Sequence, residues 1–221
     1  MREERIDNRG VPTRLYEPAN ADGLLLFGHG GGHSKDTENF VRLCRLYAEQ
    51  TGLAVVCIDA VDHCERKNTG VSADLPSRWH SRSTDQMVTE WHMTAETLSS
   101  IGPTVAYVGF SMGMIFGAPT VASMPTIKAA VFGVGGIPSG PWIDDPPLRD
   151  MLLKTASELS HPEVLMLNMT QDDCFSTANT HLFFDAIPGR KKRLMFWDNE
   201  HNHWPAEAIS RSVEFLKEHA R

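Results

Sequence analysis

No apolar stretch in the 221 residues approaches the ~20 needed to cross a bilayer, so no membrane-spanning helix is expected. Cysteine is sparse: Cys44, Cys57, Cys64 and Cys174 are scattered, with no C-x-x-C pair. That excludes a disulfide-stapled scaffold and makes a reduced, cytoplasmic setting the expectation, with each thiol serving as a small buried hydrophobe. Positive charge is scarce as well. The longest basic run is Arg190-Lys191-Lys192-Arg193, and the net charge is −7, which argues against nucleic-acid or anionic-membrane binding. No apolar segment follows the charged opening Met1–Arg5, so a signal peptide is not expected. Repeats, low-complexity tracts and linkers are absent too, which leaves one domain over residues 1–221 as the simplest organisation.

What is present alternates. Residues Ile6 to Pro18 read as a hairpin turning at Asn8-Arg9-Gly10. Short apolar runs at Gly23–Gly28, Ala54–Ile58, Thr104–Val108, Lys128–Val134, Val164–Asn168 and Arg193–Trp197 predict buried strands. Amphipathic patterns at about Glu38–Gln50, Thr84–Ser100, Met112–Ala122, Leu148–Leu159, Thr177–Ala186 and Ala206–Ala220 predict helices between them. Such alternation implies a doubly wound, mostly parallel sheet with helices on both faces. Functional residues then belong in loops at the carboxyl ends of the strands. Two connections, Val61–Ser83 and Gly135–Pro147, are long enough to form rims or lids on that side.

Chemistry concentrates there. Gly109-Phe110-Ser111-Met112-Gly113 follows the run Thr104–Val108 directly, a G-x-S-x-G pattern at a strand-to-helix junction. A serine in such a turn is exposed above the sheet, and the flanking glycines are demanded by the close approach of strand and helix. A serine hydroxyl needs a base to act at neutral pH, and the base needs an orienting acid. Acids follow the strand Val164–Asn168: Asp172, about four residues past its end, is favoured, with Asp173 as alternate. Imidazoles follow the last strand: His201 is favoured as base over His203, which would then sit at the rim beside Trp204. No companion ligand spacing supports a metal at His201-x-His203. The glycine run Gly28-His29-Gly30-Gly31-Gly32-His33 closes the first parallel strand. It does not fit either phosphate-binding pattern. It suits an oxyanion hole, with the N–H groups of Gly31 and Met112 as donors and His29 holding the loop. His63 and Arg66 are read as loop braces rather than a carboxylate clamp. Trp142, Trp79 and Trp91 are candidate pocket walls, Trp142 the best placed.

These residues resemble the serine α/β-hydrolase family, in particular its small dienelactone-hydrolase-like and acyl-peptidase-like esterases. The resemblance runs from Gly28-His29-Gly30-Gly31-Gly32 to the C-terminal helix. It includes Asp59-Ala60-Val61-Asp62-His63-Cys64-Glu65-Arg66, similar to the family's D-x-x-x-H-G-x-R loop. It implies an α/β-hydrolase fold without a large cap domain, a Ser-Asp-His triad, no cofactor, and a carboxylesterase-like reaction on a small or medium ester. An amide, peptide or thioester substrate, or transfer to another acceptor, would use the same triad. A non-catalytic binding protein on this fold is the third reading. Met114 stands where many members carry a second glycine, a difference expected to narrow the acyl pocket. Cys64 replaces a glycine, and Ser111 in place of a cysteine argues against dienelactone hydrolysis itself. A homo-oligomer is compatible with the sequence, but nothing in it specifies one.

Overall fold

The computed structural model describes residues 1–66, 81–139 and 146–220, with the backbone alone at 81 and 82. The chain opens with an antiparallel hairpin, β1 (Arg2–Asn8) and β2 (Val11–Glu17), turning at Arg9 and Gly10, both at positive φ. From there strands alternate with helices. The order is β3 (Leu24–Gly28), α1 (Glu38–Thr51), β4 (Ala54–Ile58), α2 (Ser81–Thr97), β5 (Thr104–Phe110) and α3 (Met112–Ser123). Then come β6 (Ala129–Gly133), α4 (Pro146–Glu158), β7 (Glu163–Met169), α5 (Thr177–Ala186), β8 (Lys192–Trp197) and α6 (Ala206–His219).

The eight strands form one sheet in the order β1-β2-β4-β3-β5-β6-β7-β8. All neighbours from β4 to β8 pair in parallel, and β1 and β2 are antiparallel additions at one edge. Helices on both faces explain the unbroken apolar runs, because every residue of β3, β4, β5 and β6 is buried. One face is covered by α2, α3, α4 and α5, packing Trp91, Ile115, Phe116, Leu152 and Phe183 onto Tyr107, Phe132 and Met166. The other is covered by α1 and α6, which place Val41, Tyr47, Phe215 and Leu216 over Phe27, Val55 and Val108. The doubly wound sheet expected from the alternation is therefore present, with helix boundaries shifted by one to three residues at α2 and α4. Among the described residues no helix is long and apolar enough to cross a membrane. The parts of the two long connections at 67–80 and 140–145 lie outside the described residues. Residues 64–66 of the first form a single 3-10 turn.

One buried polar cluster runs against the usual preference of lysine for solvent. Lys35, 1% exposed, directs Nζ to Asp59 Oδ2 at 3.0 Å, Asp36 Oδ2 at 2.9 Å and Glu65 Oε1 at 2.6 Å. Its backbone N–H also donates to Asp59 Oδ1 at 2.9 Å. Burial opposes the charge, but the hydrogen bonds that the ammonium donates to Glu65, Asp36 and Asp59 outweigh it, and its pKa is raised. Asp36 is shared with Arg5 and Arg14, so the cluster ties the hairpin to the loops after β3 and β4. Lys35→Met would strand the fully buried Asp59 carboxylate. The expected cost is about 3–5 kcal/mol of unfolding free energy, read from urea denaturation. Adding Asp59→Asn removes the orphaned charge and is expected to recover most of that loss.

Candidate active site

Ser111 sits between β5 and α3 with φ 55° and ψ −116°, a conformation that side-chain-bearing residues seldom adopt. The turn is locked on both sides. Ser111 N–H donates to Gly133 O on the adjacent strand at 2.8 Å, and Ser111 O accepts from Met114 and Ile115 in the helix at 2.9 and 3.2 Å. Glycine is required on either side because β5, α3 and β3 nearly touch. A Cβ at Gly109 would meet the carbonyl of Gly113, and one at Gly113 would meet the carbonyl of Gly28. The Tyr107 hydroxyl donates to Gly113 O at 2.7 Å and fixes the first turn of α3 from below.

The loops after β7 and β8 bring the other two groups over the serine. His201 Nε2 lies 3.1 Å from Ser111 Oγ, and His201 Nδ1 lies 2.7 Å from Asp172 Oδ2. The second oxygen of Asp172 accepts from Cys174 N–H at 2.8 Å and Phe175 N–H at 2.9 Å. Two backbone donors thus set the carboxylate's orientation before it meets the imidazole. The histidine ring also stacks on Phe175, centroids 5.8 Å apart and planes 16° from parallel. The two loops are joined by Thr170 N–H to Trp197 O at 2.9 Å and Gln171 N–H to Asn199 O at 3.0 Å. Thr170 Oγ1 and Gln171 Nε2 further donate to Asp198, and those bonds lower its pKa.

The doublets separate cleanly in space. Asp173 is exposed and makes its side-chain contact with Cys174 Sγ. His203, 71% exposed, pairs with Glu200. His201 is the imidazole that reaches Ser111, and Asp172 is the carboxylate that reaches His201.

Gly31 and Ser111 line the same cavity of about 890 Å³, and Met112 opens α3, where an α-helix has no acceptor for its first N–H groups. His29 holds this glycine loop. Its Nε2 accepts from Ala60 N–H at 3.0 Å, which leaves Nδ1 to donate to Gly30 O at 2.9 Å. Burial depresses its pKa to about 4, so the ring stays neutral and keeps that tautomer. Arg66 donates twice to Glu90, both at 2.6 Å, and once to Asp59 O, so its guanidinium is committed to bracing the loop after β4. His63 Nδ1 is bonded to Val61 O at 2.8 Å in the same loop.

Some expectations change. Trp91 is buried in the core against Tyr107 and forms no pocket wall. Trp142, the preferred substrate-binding tryptophan, and Trp79 lie outside the described residues. Among the described residues, the cavity wall includes Trp204, whose ring meets Phe110 edge-on at 4.2 Å, and Phe40, Leu43 and Leu46 of α1. Cysteines are not uniformly buried either: Cys64 is exposed, and Cys174 is half-buried and lines the cavity. Val134 also lines it with φ 39°, a strained value for a β-branched residue, held by its N–H bond to Leu167 O at 2.8 Å. Asp172, Cys174 and His201 place possible metal-ligating atoms within 4.8 Å of one another. Both carboxylate oxygens are already engaged by amides and imidazole, so the hydrogen-bonded chain is complete without an ion.

No protein-family model and no curated protein sequence matches the chain. Solved structures do. A cold-adapted esterase from an Arctic intertidal metagenomic library superposes with a TM-score of 0.83 at 25% identity, over 99% of this chain and 92% of that one. A dienelactone hydrolase from Anabaena variabilis gives 0.74 at 18% identity, over 100% and 99%. An esterase from Pyrococcus furiosus gives 0.74 at 15%, over 100% and 93%. The chain has the α/β-hydrolase fold. Ser111, Asp172, His201 and the glycine loop stand together at the carboxyl ends of β3, β5, β7 and β8.

Proposed function

We propose that the protein is a serine hydrolase that cleaves carboxylic esters of small molecules through an acyl-enzyme. The observation that carries this is the unbroken hydrogen-bonded chain from Ser111 Oγ through His201 to Asp172. In the forward step His201 Nε2 takes the Ser111 proton as Oγ bonds to the ester carbon, and the carbonyl oxygen becomes an oxyanion. The N–H groups of Gly31 and Met112 stabilise that charge. Asp172 holds His201 in the tautomer with Nδ1 protonated and stabilises the imidazolium. The C–O bond then breaks, and His201 returns the proton to the departing alcohol. Water, deprotonated by the same imidazole, attacks the acyl-enzyme and releases the acid and the free serine. The esterase character of the structural neighbours supports the ester as the bond attacked. Unpaired thiols, including the exposed Cys64, and a net charge of −7 support a cytoplasmic protein without nucleic-acid or membrane partners.

A fluorophosphonate tests the reading without any knowledge of the natural substrate. Stoichiometric labelling is expected, with the adduct mapped by mass spectrometry to Ser111 and competed by ester. An unlabelled, folded protein would reject the mechanism.

A further inference from the structure

Helix α1 carries apolar residues beyond the stripe it fully buries. Val41, Cys44, Tyr47, Ala48 and Thr51 form the buried stripe that packs on the sheet. Phe40, Leu43 and Leu46, at i, i+3 and i+6, run from that stripe toward solvent: all three are only partly buried, and Phe40 and Leu43 also pack against the core. With Trp204 and Ile209 they line the same cavity that holds Ser111 and His201. Phe110, the residue before the nucleophile, lies between them: its ring is 6.4 Å from Phe40 and 4.2 Å from Trp204. The apolar surface therefore begins at the reacting serine and continues outward between α1 and α6.

We infer that this groove is the subsite for an extended, uncharged apolar arm of the ester, so that the preferred substrates are medium-chain rather than acetyl-sized. The inference rests on the serine-hydrolase reading above. The groove's length follows from the helix that walls it: Phe40 to Leu46 spans roughly 9 Å at 1.5 Å per residue, about the reach of an octyl chain. Volume agrees, since about 890 Å³ lies near the top of the ~300–1,000 Å³ range of small-molecule sites. Charge agrees as well. Arg42, on the same wall, is paired with Glu38 at 2.7 Å, so it does not call for an anionic arm. Continuity with Ser111 favours the substrate over a protein partner as occupant of this surface, because a chain lodged there is attached to the bond being cut.

Each methylene withdrawn from water strengthens binding by roughly fourfold at most, and this sets the scale of the test. Two ester series are measured below their micellar concentrations: p-nitrophenyl alkanoates from acetate to decanoate, and acetates of linear alcohols from methanol to decanol. One series is expected to show kcat/KM rising at least tenfold up to about eight carbons, and which one does so identifies the acyl or the alcohol arm as occupant. Leu43→Trp, which fills the groove from a half-exposed position, is expected to cut the octyl-to-acetyl selectivity ratio at least tenfold. Leu46→Trp serves the same purpose should the first variant fold poorly. Two flat or falling series overturn the subsite, as does a ratio that both tryptophan variants leave unchanged. Ser111-dependent turnover of p-nitrophenyl acetate and fluorophosphonate labelling would then persist, whereas failure of the hydrolase reading itself abolishes both.

Discussion

Ser111→Ala is expected to lower kcat on p-nitrophenyl esters by about 10⁴–10⁶-fold, with KM little changed. The geometry motivates both halves of that expectation. The hydroxyl at the turn is the atom within 3.1 Å of His201 Nε2, so its loss leaves the imidazole with no nucleophile to activate. The backbone of the turn does not depend on the side chain: Ser111 N–H is bound to Gly133 O, and its carbonyl is bound into α3. Alanine therefore keeps Met112 N–H, Gly31 and the apolar groove where they are, and binding survives while chemistry fails. The variant should unfold within about 0.5 kcal/mol of the parent in urea, which separates a chemical from a structural loss. Turnover retained to within tenfold would mean that another group attacks the ester.

How much of this could be read beforehand depended on whether a residue's role is local. Strand runs such as Leu24–Phe27 and Thr104–Val108 announce themselves because a strand covered on both faces has no polar side to interrupt it. The nucleophile turn is equally local, since two glycines and a serine between a strand and a helix have few other reasons to occur together. The candidate acid and base narrow to doublets by their position after β7 and β8. Choosing within each doublet depends on orientation, which a one-residue shift reverses. Asp172 faces inward because Cys174 and Phe175 offer it two N–H groups, a contact made three-dimensionally and invisible in composition. Lys35 was hidden for the opposite reason. A lysine in a polar loop reads as surface, and only the convergence of Asp36, Asp59 and Glu65 makes its burial tolerable. The wall of the groove is half-visible: Phe40, Leu43 and Leu46 are plain apolar helix residues, and the fully buried stripe on α1 is complete without them. Apolar residues beyond that stripe are the signal that could have found it.

Asp172→Asn should be the more discriminating loss, with kcat falling about 10⁴-fold while the fold and the fluorophosphonate-accessible pocket persist. Asparagine is nearly isosteric, so the outcome turns on which way its amide points. Two backbone donors, Cys174 N–H and Phe175 N–H, require an oxygen at the Oδ1 position, which they approach at 2.8 and 2.9 Å. Turning the amide the other way would set an NH₂ against both of them in a buried place, a conflict costing on the order of 1–3 kcal/mol for each unsatisfied donor. The NH₂ therefore faces His201 and makes Nδ1 an acceptor. The imidazole proton moves to Nε2, the nitrogen that has to receive the Ser111 proton, and the base is blocked by its own tautomer. Asp173→Asn is the matched control, because that carboxylate is exposed and does not touch His201, and its kcat should stay within about twofold of the parent. Should Asp173→Asn be the variant that collapses and Asp172→Asn the silent one, the acid would have been misassigned. Equal and small losses in both would mean that His201 is oriented chiefly by its stacking on Phe175 and by the loop contacts to Trp197 and Asn199, and that the carboxylate contributes little to the transition state.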